Sequence, residues 1–150
     1  MCSSIEVKEL TAEDAELLDS VADDVFDDTI VRQRAGEFLG DPRHHLVAAV
    51  SDGWIVGFAS AVHYVHPDKA WPEMWVNELG VAPHFRRQGI ATELLNRLSE
   101  IAGRIGCRSI WVLTERSNAA AMALYGSLSR SGAEDAVLFT IPVQDADAAQ

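Results

Sequence analysis

The chain has 150 residues, 48% of them hydrophobic, and a formal net charge of −11 from 23 acidic and 12 basic side chains. This length and apolar content suit one self-supporting domain over residues 1–150, and the negative charge disfavours a nucleic-acid partner while attracting cationic ligands. Cys2 and Cys107 form no disulfide framework or metal-ligand cluster, the five histidines contain no i,i+4 pair, and metal or covalent catalysis is not expected. Glu6, Lys8 and Glu9 stand where a signal peptide would be apolar, and the best later apolar run, 54–62, is too short to cross a bilayer. A soluble, cytoplasmic protein without membrane association is the expectation.

In chain order, Ile5 to Leu10 alternates as a half-buried strand does, and Thr11 followed by Glu13 and Asp14 caps the start of a helix predicted over Ala12 to Phe26. A second helix is predicted over Ile30 to Leu39, stopped by Gly40-Asp41-Pro42. Leu46 to Val50 and Trp54 to Val65 form a hairpin across Ser51-Asp52-Gly53. The segment 66–73 has two prolines and no periodicity, so it reads as a loop at the mouth of the sheet. A strand ends at Val81, closed by Pro83. From Gly89 to Gly106, Ile90, Leu94, Leu95, Leu98, Ile101, Ala102 and Ile105 share one helical face, with Glu93, Arg97, Glu100 and Arg104 away from it. Ser109 to Thr114 is strand-like, Ala119 to Leu128 a second amphipathic helix, Ala136 to Ile141 a final strand, and Val143 to Gln150 a polar, frayed tail. Strands interleaved with helices at these lengths indicate an α/β (α+β) fold, a mixed sheet flanked by helices.

The stretch from Asn77 to Thr92 carries the chemistry. A strand runs through a short turn into a helix whose first amides lack partners, Gly89 allows the tight turn, and Arg86 and Arg87 add positive charge to an acidic chain. Unpaired N–H groups at a helix start attract phosphates. No G-x-x-x-x-G-K-[ST] and no G-x-G-x-x-G occurs.

The spacing Arg86-x-x-Gly89-x-Ala91 after that strand resembles the acetyl-coenzyme A loop of the GNAT acetyltransferase superfamily. Asn118-x-x-Ala121-x-x-Leu124-Tyr125, following the Ser109 to Thr114 strand, resembles the helix that closes that superfamily's cofactor site. The resemblance implies a GNAT fold with a central twisted sheet, acetyl-coenzyme A as donor, and a homodimer. Acetyl transfer to an amine needs a held donor, a deprotonated amine, a stabilised oxyanion and a proton for the thiolate. The N–H groups of Gln88, Gly89, Ile90, Ala91 and Thr92 would take the diphosphate, and Leu79-Gly80-Val81 would pair with the pantetheine arm as an added strand does. The amide of Val81 or Gly80 is the oxyanion donor, with Gly80 permitting a close approach or bulge. Glu78 is the candidate base, or else an electrostatic anchor for the amine. Period-two geometry would turn Asn77 and Leu79 to the opposite face from Glu78. Tyr125 is the candidate acid, since its phenol can donate to a thiolate. Asn118 also suits the N-cap of its helix.

From about Val25 onward the chain is similar to the aminoglycoside 3-N-acetyltransferases of the gentamicin-modifying type. The matching pieces are Val25-Phe26-Asp27-Asp28, Tyr64-Val65, Glu78-Leu79-x-Val81, His84-x-Arg86-Arg87-Gln88-Gly89-Ile90-Ala91-Thr92, Ala123-Leu124-Tyr125, and Glu134 with Phe139. The likeness implies acetylation of a deoxystreptamine amine. Asp27, Asp28, Glu78, Glu115, Glu134 and Asp135 are the acids available to replace the hydration of a polycationic amine. Two alternatives use the same cradle: a GNAT acting on a polyamine, small amine or protein N-terminus, and a non-catalytic acyl-coenzyme A-binding module.

Overall fold

The computed structural model describes residues 4–144, which leaves Cys2 and the end of the predicted tail, residues 145–150, outside the described residues. The chain divides into two compact units, one running to Glu115 and the other starting at Arg116. The first contains β1 (Ile5–Glu9), a 3₁₀ helix (Ala12–Asp19), α1 (Arg32–Gly40), β2 (His44–Ser51), β3 (Trp54–Tyr64), β4 (Glu73–Val81), a 3₁₀ turn (Pro83–Phe85), α2 (Ile90–Ile105) and β5 (Ile110–Val112). The sheet order is β1-β2-β3-β4-β5, antiparallel through β4 and parallel between β4 and β5. It is the mixed sheet with flanking helices that the sequence pattern indicates.

The β2–β3 hairpin turns on Asp52 and Gly53, at φ 50° and 80°. Two central residues with positive φ define the primed turn whose twist matches the flanking strands. Helix α2 is the main cover of the sheet. It buries Ile90, Leu94, Leu95, Leu98, Ile101 and Ala102, nearly the whole predicted face, and each fully buried Leu or Ile stabilises by about 2 kcal/mol. Its N-terminal turn lies close on β3, because a Cβ added at Gly57 would sit 3.2 Å from Ile90 Cγ2. Gly106 ends the helix in the left-handed region at φ 102°, its N–H reaching the carbonyls of Ala102 and Gly103.

The predicted helix from Ala12 to Phe26 is corrected to a 3₁₀ helix that stops at Asp19. Its start is as expected: Thr11 accepts from Glu13 N–H, and Asp14 Oδ2 accepts from Thr11 N–H at 2.8 Å. Its end is set from outside the segment. Ile55 N–H donates to Ser20 O at 2.8 Å and Ala22 N–H to Ile55 O at 2.9 Å, so a bridge to β3 draws the chain out of the helix. Glu73, expected in the loop, is the first residue of β4.

The second unit contains α3 (Ala119–Leu128). Asn118 caps it, accepting Ala121 N–H at 3.1 Å. Its alanines, Met122, Leu124 and Leu128 surround the axis, so the expected amphipathic face is absent. The predicted strand over Ala136 to Ile141 is likewise absent: these residues have no regular structure, and Val137, Leu138, Phe139 and Ile141 are 77–84% exposed. Strand-forming side chains make a strand only where a partner edge pairs with them.

Candidate functional site

The site begins with a fault in β4. Ser60 opposes Glu78 while Ala61 opposes Val76, so Asn77 is an extra residue on β4, a β-bulge. The alternation is broken there, with Val76 buried and both Asn77 and Glu78 exposed. The expectation that Asn77 turns away from the Glu78 face is therefore corrected: the bulge leaves both side chains in solvent.

Beyond the bulge the strand also loses a neighbour. The β5 ladder covers only Met74–Val76 against Ile110–Val112, so among the described residues Asn77–Val81 pairs with β3 alone. Ala82 N–H donates to Val56 O on β3 at 2.8 Å. By period two, the amide of Gly80 also faces β3, whereas those of Leu79 and Val81 face the open edge. Of the two oxyanion donors considered, this leaves Val81. Of the close approach or bulge expected at Gly80, the bulge lies at Asn77 instead, and the close approach is to Val25. A Cβ at Gly80 would fall on the carbonyl oxygen of Val25 and lie 3.0 Å from Phe58 Cε1. The adjoining Phe26 stacks on Phe58 with ring centroids 3.7 Å apart, so the segment carrying the exposed Asp27 and Asp28 crosses the sheet beside this end of β4.

After β4 the chain enters the cradle. Arg86 Nε donates to the Val81 carbonyl at 3.0 Å, and Gln88 Nε2 to the His84 carbonyl at 3.2 Å, so both side chains brace the turn. Arg87 and Gly89 are left-handed, at φ 62° and 80°. The first bond of α2 runs from Glu93 N–H to Gly89 O at 3.1 Å, which places the N–H groups of Ile90, Ala91 and Thr92 ahead of any intrahelical acceptor. An open strand edge leading into a row of helix-start amides flanked by arginines fits a ligand with an amide-bearing arm and a diphosphate.

In the second unit, Asn118 and Ala121 are joined by the cap bond, and burial pushes the Tyr125 phenol up from its ordinary value. Asp135 is ion-paired with Arg116, and Glu134 is exposed. In the first unit Glu115 is exposed.

A further group was not singled out from sequence. Trp75 and Trp111, register partners on β4 and β5, stack with centroids 5.1 Å apart and planes 2° from parallel. Trp111 Nε1–H donates to Tyr64 Oη at 2.7 Å, Tyr64 O–H to Glu73 Oε2 at 3.2 Å, and His66 Nε2 lies 3.2 Å from the same oxygen. The His66 hydrogen bond holds the Glu73 carboxyl below its ordinary range, and burial raises the Tyr64 phenol. The signal available was the flanking of one loop by Tyr64, His66 and Glu73; the pairing of Trp75 with Trp111 needed the register.

The model of the Acetyltransferase (GNAT) family matches residues 6–128. The chain belongs to the GNAT family. Acetyl-coenzyme A is the donor its members use. The [Ribosomal protein bS18]-alanine N-acetyltransferase of Escherichia coli (strain K12) is 32% identical over 43% of this chain and 53% of its own. The chain thus spans about half the length of the curated relatives it matches. The aminoglycoside acetyltransferase HMB0005 from an uncultured soil metagenomic sample is 27% identical, with a TM-score of 0.80 over 94% of this chain and 99% of that one. AAC(6')-Iy, solved with the bisubstrate analog CoA-S-monomethyl-acetylneamine, is 19% identical with a TM-score of 0.76 over 94% and 100% of the two chains; that likeness shows the fold.

Proposed function

We propose that this GNAT protein is an acetyl-coenzyme A-dependent N-acetyltransferase for an amine of an aminoglycoside, the 3-amino group of the deoxystreptamine ring. The observation that carries the reading is the bulge at Asn77. It exposes Glu78 where β4, among the described residues, has an unpaired edge running into the Arg87-Gln88-Gly89 turn and the start of α2.

The donor supplies an acetyl thioester. Leu79 and Val81 would hold its amide-bearing arm along the edge of β4 that is unpaired among the described residues, and the N–H groups of Gly89 to Thr92, with Arg87, would hold its diphosphate. Arg86 is engaged with the Val81 carbonyl and shapes the turn. Glu78 takes the proton from the acceptor ammonium, directly or through water. The Val81 amide would donate to the oxyanion, and Tyr125, whose phenol burial pushes up, would be the proton donor to the thiolate. Asp27, Asp28 and Glu115 supply negative charge for the remaining ammonium groups. Tyr125→Phe lowers turnover and leaves coenzyme A affinity nearly unchanged, a split read from steady-state rates and donor titration.

The aminoglycoside acceptor is supported by the likeness to HMB0005 and by the chain's charge of −11. A second reading, acetylation of a protein N-terminus, is favoured by the 32% identity to the bS18-alanine enzyme. Thiol release from acetyl-coenzyme A with gentamicin, kanamycin, spermidine and an N-terminal alanine peptide, with mass analysis of products, decides between them. Turnover confined to the aminoglycosides supports the first reading; turnover confined to the peptide replaces it with the second.

A further inference from the structure

We propose that the sheet face beside the bulge is a second acceptor subsite, where the Trp75–Trp111 pair stacks on one ring of an amino sugar and Glu73 binds that ring's ammonium group. This inference rests on the proposed transfer to an aminoglycoside and names where the ring that is not being acetylated lies.

Two large indoles stack on each other yet stay 36% and 37% exposed. Core packing alone would bury such rings. Flat indole faces suit the C–H face of a sugar, and their quadrupole attracts a cation. The same part of the molecule already uses that attraction: the Arg108 guanidinium carbon stands 3.3 Å from the ring centroid of Trp71 in the 65–72 loop.

The platform is held in place by hydrogen bonds. Trp111 is tied through Tyr64 to the Glu73 carboxylate, and His66 binds that carboxylate from the other side. Glu73 is therefore an oriented anion at the border of the aromatic surface, kept ionised by its depressed pKa.

Register relates this platform to Glu78. Trp75 opposes Val62, and Glu78 opposes Ser60, two residues apart on β3 and so on the same face, roughly 7 Å apart along the strand. That separation spans about one sugar ring. A rigid, ring-built polyamine can place one amine at Glu78 and stack its next ring on the indoles. A linear polyamine meets the charges and gains nothing from the stacking.

The test is calorimetric binding of neamine, a two-ring aminoglycoside, and of spermidine, to the wild-type protein and to Trp111→Leu, Trp111→Phe and Glu73→Gln. Acetylation of neamine is followed in parallel. Trp111→Leu should raise the Kd for neamine about tenfold, with less than about a twofold change for spermidine. Trp111→Phe, which keeps an aromatic face, should recover most of the affinity, and Glu73→Gln should weaken both ligands. An unchanged neamine Kd in Trp111→Leu, or equal losses for both ligands, overturns the subsite. Neamine bound in a Trp111-dependent way but never acetylated upholds the subsite and removes the proposed acceptor. Neamine acetylated without dependence on Trp111 does the reverse, and absence of neamine binding removes both.

Discussion

The two halves of β4 are built to opposite specifications. In the first, Met74–Val76 has neighbours on both edges, and Met74 and Val76 are buried in strict alternation. Among the described residues, Asn77–Val81 has β3 on one edge only, and none of its side chains is fully buried. One extra residue separates the two. The first half shows a strand whose alternation is set by burial; the second gives up a neighbour among the described residues and leaves backbone and carboxylate groups exposed.

The largest expected effect comes from forcing the second half to behave like the first. Gly80→Ala places a methyl group against the Val25 carbonyl and Phe58, so either β4 or the 25–28 segment must move. The expected cost is about 3 kcal/mol of stability, together with acceptor binding, measured by chemical denaturation and steady-state kinetics. Full stability would show that the close approach is slack.

Next in size, Glu78→Gln should lower kcat about a hundredfold if the carboxylate is the base, with the deficit growing where the amine is mostly protonated. A rise in KM alone would make Glu78 an anchor and the exposed half of β4 a binding surface. Gly89→Ala tests the turn instead of the strand. Nothing lies within 4 Å of the added Cβ, yet φ is +80°, so the cost is conformational, about 1 kcal/mol, and the coenzyme A Kd should rise about fivefold.

The smallest effect belongs to the first half. The folded pKa of Glu73 is depressed from 4.5, chiefly by His66. Its contribution to stability is therefore present above that value and lost as pH falls through the lower folded one. Glu73→Gln should flatten the acid side of the Tm profile slightly and leave neutral pH nearly unchanged; an unaltered acid limb would show the bond contributes nothing.

Much of this was legible in the sequence because it depends on short-range pattern. The buried face of α2 follows from its own spacing, the Asp52-Gly53 turn from two residues that tolerate positive φ, and the cradle from glycine and charge at a helix start. The bulge was not legible, because it is a property of β4 measured against β3, and nothing within Met74 to Gly80 marks Asn77 as the unpaired residue. The first helix was overestimated for a similar reason: Ser20 and Ala22 leave it to bond Ile55, a partner distant in sequence. Ala136 to Ile141 has the side chains of a strand without the ladder. The place of Glu78 on the strand before the turn was readable and the Trp75–Trp111 pairing was not, since it needs the parallel register of β5.

The half-ladder along Asn77–Val81 also makes the strand a reporter. Amide protons of Leu79 and Val81 point to an edge with no protein acceptor among the described residues and should exchange readily with deuterated solvent, while those turned to β3 should be protected. Docking of the donor arm as proposed would close that edge. The alternating exchange pattern should then become continuous protection, and donor occupancy could be counted, residue by residue, without any chemical turnover.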